Sequence, residues 1–97
     1  MVVGLNVKVN DLVRMKRGVI PGIARKFRIS ESQAENFLRI AIEEAARSKR
    51  LSVKKGEISG DDAAISELFR EVESWTEDEF DEEDFEILGY CRSIREE

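Results

Sequence analysis

Ser30 and Gln33 mark the start of the element that the rest of this chain must accommodate. Serine at an N-cap with Gln three residues later forms a capping box, in which each side chain satisfies the other residue's orphaned backbone N–H. Behind the box, Ala34, Phe37, Leu38, Ala41, Ile42, Ala45 and Ala46 recur at spacings of three and four. That period predicts an amphipathic helix from about Glu31 to Lys49, with one apolar stripe that needs a cover. Ile40 lies off the stripe and offers a second apolar contact on its flank. Arg47, Lys49 and Arg50 suit the negative end of the helix dipole. The alanines allow a second helix to approach closely.

The flanking segments supply the cover. Leu5, Val7 and Val9 alternate with polar residues, which predicts a short strand with one buried face. Asn10 or Asp11 then caps a helical turn through Leu12, Val13 and Met15, which Gly18 interrupts. Pro21 fits the first position of a further helix, with Ile23, Ala24 and Phe27 inward and Arg25, Lys26 and Arg28 outward. After the long helix, Leu51-Ser52-Val53 and Glu57-Ile58 flank Lys54-Lys55-Gly56, a β-hairpin pattern with Gly56 supplying a positive φ. Ser59, Gly60 or Asp61 begins another helix, with an apolar stripe of Ala64, Ile65, Leu68, Phe69, Val72 and Trp75. Thr76 and Glu79 form a second capping-box pattern. The tail from Phe85 to Ile94 reads as a strand with Phe85, Ile87, Gly89 and Cys91 on one face, or as a helix grouping Phe85, Leu88 and Cys91 with Ile94 at its edge. The helix is preferred, because Gly89 is its only breaker.

Charge divides this chain in two. Residues 1–55 hold 13 of the 16 basic side chains and 5 of the 21 acidic ones, a formal +8. Residues 56–97 hold the other 3 and 16, a formal −13. Such asymmetry points to nucleic-acid contact or to an acidic interaction segment, or else to two halves that neutralise each other within one fold or across a dimer. Ninety-seven residues make a single domain over 1–97, with a basic part over 1–58 and an acidic helical part over 59–97. The core of so small a chain is modest, and a homodimer is a natural way to enlarge it. Charged residues make up 38% of the chain. With one Pro and one Cys, that enrichment fits a thermophile's protein.

Residues 20–46 resemble a helix-turn-helix unit. Ile23 and Ala24 supply the apolar residue and alanine of the first helix, at the point where the two helices cross closely. Phe27 and Ile29 bracket the turn, and Ala34, Phe37 and Leu38 lie inside the second helix. Arg28 stands where such turns commonly carry Gly. The Leu51–Ile58 hairpin stands where a winged-helix protein carries its wing, with Lys54 and Lys55 at the tip, so the resemblance spans residues 20–58. It implies a mainly α fold with minor β structure, a small winged helix-turn-helix-like single domain. It also implies a recognition helix entering the major groove by its N-terminal end. Ser32, Gln33, Asn36 and Arg39 are then the base readers, with Glu31 and Glu35 unfavourable beside phosphates. Arg25, Lys26, Arg28, Lys54 and Lys55 are the phosphate contacts, followed by Lys16 and Arg17. The implied function is that of a non-enzymatic double-stranded-DNA-binding protein, as a dimeric transcriptional regulator.

The alternative is a protein-interaction module or a homodimeric structural protein that uses the acidic half. Residues 77–86 carry eight acidic side chains around Phe80 and Phe85. Charge steers encounter and buried aromatics hold a contact, so Phe80 and Phe85 are candidate anchors for a basic protein partner. The same segment can fold over the chain's own basic half, or contribute Phe80 and Phe85 to the core. Enzymatic chemistry finds no support. The chain has no His, so the commonest general base and metal ligand are missing. Cys91 stands alone and reads as a small buried apolar residue. There is no phosphate-cradling glycine loop, and the acidic run lacks the spacing of an EF-hand loop. No cofactor or metal is expected. No apolar run is long enough to span a bilayer, and a signal-peptide pattern is absent, so the chain reads as cytoplasmic.

Overall fold

The computed structural model of the protein describes residues 5–80. Strand β1 (Leu5–Lys8) runs directly into helix α1 (Val9–Met15), and a 3-10 turn (Arg17–Val19) leads into α2 (Ile20–Phe27). Helix α3 (Glu31–Ser48) follows, then strands β2 (Ser52–Lys54) and β3 (Glu57–Gly60), helix α4 (Asp62–Ser74) and a last 3-10 turn (Glu77–Glu79). The architecture is mainly α with minor β, as the sequence implies.

Helix α3 is the axis of the molecule. Its capping box is formed in both directions: Gln33 N–H donates to Ser30 Oγ, and Ser30 N–H donates to Gln33 Oε1, both at 3.1 Å. Ala34, Phe37, Leu38, Ile42, Ala45 and Ala46 are buried along it. Helices α1, α2 and α4 pack on this stripe, and Val9, Leu12, Ile23, Ile65, Leu68 and Val72 are each no more than 1% exposed. Burial of such side chains contributes about 1.5–3 kcal/mol each before entropy is counted.

The sheet is antiparallel, in the order β1-β3-β2. Its centre is β3, whose Ile58 is fully buried and lies opposite Val7 on one side and Val53 on the other. Lys55 (φ 51°) and Gly56 (φ 78°) are the two hairpin-turn residues. Two successive positive φ values are those of a type I′ turn, whose twist matches that of paired strands. Val9 N–H donates to the Gly56 carbonyl at 2.8 Å, which ties the hairpin tip to the start of α1.

Two helices end by the same device. Arg28 closes α2 with φ 56°, and Ile29 N–H donates back to the Ala24 carbonyl. Arg50 lies beyond the end of α3 with φ 64°, and Leu51 N–H donates to the Ala46 carbonyl. Both are the six-to-one bond of a Schellman motif, in which a left-handed residue usually is Gly. Arginine occupies the glycine position of the α2–α3 turn, and the turn forms around it.

Several expectations are corrected. The first strand stops at Lys8, and Val9 already belongs to α1, whose N-cap is Lys8 rather than Asn10 or Asp11. Phe69, expected in the core, is 37% exposed. Thr76 accepts from Asp78 N–H and opens a 3-10 turn, so the expected box with Glu79 does not form. Val13, Ile20, Leu51 and Ile58 are core residues that the periodicity did not single out, while Ala46 is buried with the rest of the α3 stripe and Phe80 with the core. The reading of residues 85–94 as helix or strand and that of Cys91 lie outside the described residues.

Phe80 is 3% exposed and packs edge-on against Phe37 at 5.4 Å and against Trp75 at 5.6 Å. Removing a buried aromatic costs about 3–5 kcal/mol, so Phe80→Ala is expected to lower Tm by more than about 12 °C in a domain of this size. Arg28→Gly is expected to raise stability by about 0.5–1 kcal/mol, because it relieves a left-handed side chain at the cost of added chain entropy. Thermal melts followed by circular dichroism check both signs.

Candidate nucleic-acid interface

The two flanks of α3 differ in what they face. On one flank Phe37, Ile40, Ala41, Glu44 and Ala45 share a cleft with Glu71 and Trp75 and with Glu79 and Phe80 beyond them. Its floor is apolar and its rim acidic. On the other flank Ser32, Glu35, Arg39 and Glu43 recur at helical spacing. They share shallow clefts with Arg17, Arg14 and Asn10 from α1 and the turn after it, and with Lys8, Lys55 and Gly56 near the hairpin tip. Ile20 and Pro21 at the start of α2 complete that surface beside Glu31 and Ser32.

The acidic C-terminal part lies against the first flank and engages particular basic residues. Lys49 Nζ lies 2.5 Å from Glu71 Oε1. Lys16 Nζ donates to the Glu73 carbonyl at 2.9 Å. Lys26 Nζ donates to the carbonyls of Glu77 and Phe80, the first at 3.2 Å, and lies 5.6 Å from the centre of the Phe27 ring. Gly22, one turn before Lys26, has no side chain to oppose the Glu77 carboxylate, which reaches across α2 at that point. Residues 75–80 therefore form a strap from the end of α4 to the outer side of α2, held by Phe80 below and by Lys26 above.

These contacts sort the sequence candidates. Lys16 and Lys26 are bound within the chain and are not free cations. Phe80, a candidate partner anchor, is corrected to a core residue: it is buried against its own chain and offers no exposed ring. Phe85 lies outside the described residues. Gln33 commits its side-chain oxygen to the capping box. Arg17 is exposed and lies 3.8 Å from Glu35, a spacing at which an exposed pair contributes well under about 1 kcal/mol. Arg25, Arg28, Lys54 and Lys55 are exposed, as is Ser32, while Asn36 and Arg39 are half-buried.

Lys8 and Arg14 also belong to the basic surface, and sequence reasoning did not single them out. The available signal was the spacing of Asn10, Arg14 and Arg17, which aligns them along one side of α1 and the turn after it. Lys8 gave no local signal, because only its pairing opposite Glu57 brings it beside the hairpin tip.

No protein-family model matches the chain, and no curated protein or solved structure resembles it significantly. Among the described residues there is no cluster of His, Cys, Asp and Glu fit to hold a metal. No described helix is long and apolar enough to cross a membrane.

Lys26→Met is expected to cost about 1 kcal/mol, since it removes a charged donor from two carbonyls while retaining the aliphatic stem. A Tm lower by about 4–8 °C is the corresponding result. An unchanged Tm would show that the lysine does not hold the strap.

Proposed function

We propose that the protein binds nucleic acid, as a non-enzymatic regulator of the helix-turn-helix kind, through the surface formed by α1, α3 and the β2–β3 hairpin. The observation that carries this reading is the sorting of the charges. The acidic part packs on the far flank of α3, where Lys49 pairs with the Glu71 carboxylate and Lys16 and Lys26 are engaged by backbone carbonyls of Glu73, Glu77 and Phe80. Lys8, Arg14, Arg39, Lys54 and Lys55 remain without an ion pair among the described residues. A net-acidic chain thus keeps a face on which Lys8, Arg14, Arg17, Arg39 and Lys55 outnumber the carboxylates of Glu31, Glu35, Glu43 and Glu57.

The order of elements supports the same reading. Two helices joined by a tight turn precede a two-stranded hairpin, whose inner strand pairs with a strand before the helices. The hairpin follows the helix pair where a winged helix-turn-helix protein carries its wing, although α1 here lies between β1 and the pair. The glutamates of α3 bear on what kind of binding to expect. Glu31 and Glu35 near its start and Glu43 further along oppose deep entry into a groove lined by phosphates. Backbone contact from the arginines and lysines therefore carries most of the affinity, and base reading falls to Ser32, Asn36 and the amide group of Gln33. A duplex is the preferred ligand, and a homodimer on a duplex is the preferred assembly.

Fluorescence-anisotropy titration of the full chain with random duplex DNA tests the reading. Neutralising about five phosphates predicts a log–log salt slope of about −4.5. Lys54→Glu combined with Lys55→Asn, which tolerates the left-handed turn, is expected to weaken binding by about ten-fold or more at 0.1 M salt. Lys49→Gln is expected to leave affinity within about two-fold, because its charge is already bound. Absence of binding by the folded full chain from low to physiological salt would end the proposal.

A further inference from the structure

Arg39 is unusual among the basic residues of this surface. Its Nε is buried and has no hydrogen-bond partner among the described residues. Glu35 and Glu43 sit one helical turn on either side of it, the spacing at which helix ion pairs form, yet Arg39 is paired with neither. Glu35 faces Arg17 instead. A buried N–H left unsatisfied costs about 1–3 kcal/mol, and native structures leave few such groups without a reason. Arg39 also lines two adjoining clefts. One is shared with Arg14 and Arg17, the other with Lys8 and Lys55.

We infer that Arg39 is the centre of a phosphate-binding site, flanked by Arg14 and Arg17 on one side and by Lys8 and Lys55 on the other. The ligand is a phosphate group presenting at least two anionic oxygens, as in a nucleic-acid backbone or a free polyphosphate. The geometry favours an oxyanion over another class of ligand. Five cations surround three carboxylates, those of Glu35, Glu43 and Glu57. A guanidinium held by a helix offers a planar fork that matches two oxygens of one phosphate. The flanking groups come from fixed backbone. Lys8 is held by strand pairing opposite Glu57, and Lys55 by a turn whose carbonyl at Gly56 is bonded to α1. Little ordering is left to do when the anion arrives, which preserves affinity. Arg39 therefore acts as a backbone clamp joining α1, α3 and the hairpin to one ligand, and not as the base reader that its position on α3 first suggests. The site deepens the nucleic-acid reading and rests on it only for the source of the phosphate.

The experiment uses the ¹³C,¹⁵N-labelled full chain, with the Arg39 Nε–Hε resonance assigned by through-bond correlation to the residue's own backbone amide. Pyrophosphate and random duplex DNA are titrated separately, and Arg39→Gln and Arg39→Lys are compared with the parent chain by DNA anisotropy. The expected result is a saturable shift of the Arg39 resonance with both ligands. Arg39→Gln is expected to lose about ten-fold or more in DNA affinity, and Arg39→Lys to lose less, because it keeps the charge but not the fork. A pyrophosphate shift at Arg39 without DNA binding would uphold the site and assign it to a free polyphosphate, against the nucleic-acid reading. DNA binding with an unmoved Arg39 resonance and unchanged affinity in Arg39→Gln would overturn the site and leave that reading intact. No response to either ligand would overturn both. The resonance of the parent chain decides the matter even if a variant fails to fold.

Discussion

Phe37 is the contact on which the rest of this molecule depends. It lies on the buried stripe of α3, 2% exposed. Phe27 of α2 packs against it at 5.3 Å and Phe80 at 5.4 Å, and Trp75 extends the row. Aromatic pairs at such separations contribute about 0.5–1.5 kcal/mol beyond their buried area. The larger consequence is positional. Phe80 follows three consecutive acidic residues, and seating its ring on Phe37 draws them to the α2 side of α3. The strongest negative charge in the described chain is therefore fixed away from the α1 and hairpin side.

That placement turns a composition into a surface. A chain with a net charge of −5 gives no general attraction for polyanions, and exposed charges are screened beyond about 10 Å at 0.1 M salt. Screening makes local arrangement count for more than the total. Lys16, Lys26 and Lys49 are used to bind the acidic part, and they serve stability. Lys8, Arg14, Arg39, Lys54 and Lys55 have no ion pair among the described residues, which is the basis of the binding proposed for that face. The division follows from which residues the α4 end and the strap reach and which they do not.

The clamp inferred at Arg39 follows from the same division. The glutamates one turn above and below it are the natural partners of an arginine on a helix, and in this fold they do not reach it. An arginine buried at its Nε yet open at its fork is poised for an oxyanion, whereas a fully paired arginine is structural. The hairpin adds to this, since its turn brings Lys55 to a site that includes Lys8 and Arg14, both more than 40 positions earlier.

Much of the fold was legible in the residues because it is local. The Ser30–Gln33 box, the three- and four-residue spacing behind it, the alternation of Leu5, Val7 and Val9 and the Lys55-Gly56 turn each act within a few residues, and each element forms close to where its pattern stands, with Val9 passing from the strand to α1. Arg28 shows the limit of such reading: nothing in its side chain signals a left-handed conformation, and the turn is imposed by the helices on either side. Phe69 shows another, since it belongs to the apolar stripe of α4 by spacing and yet is 37% exposed. The candidate site was legible only as a list of basic residues around a helix pair. Which were free depended on Phe80 meeting Phe37 across 43 positions and on Lys8 pairing opposite Glu57. Sequence determined the elements and the separation of charge, because those are set by neighbours along the chain. Tertiary structure alone decided which charges were neutralised and which face stayed basic, because that depends on contacts between segments far apart in the chain.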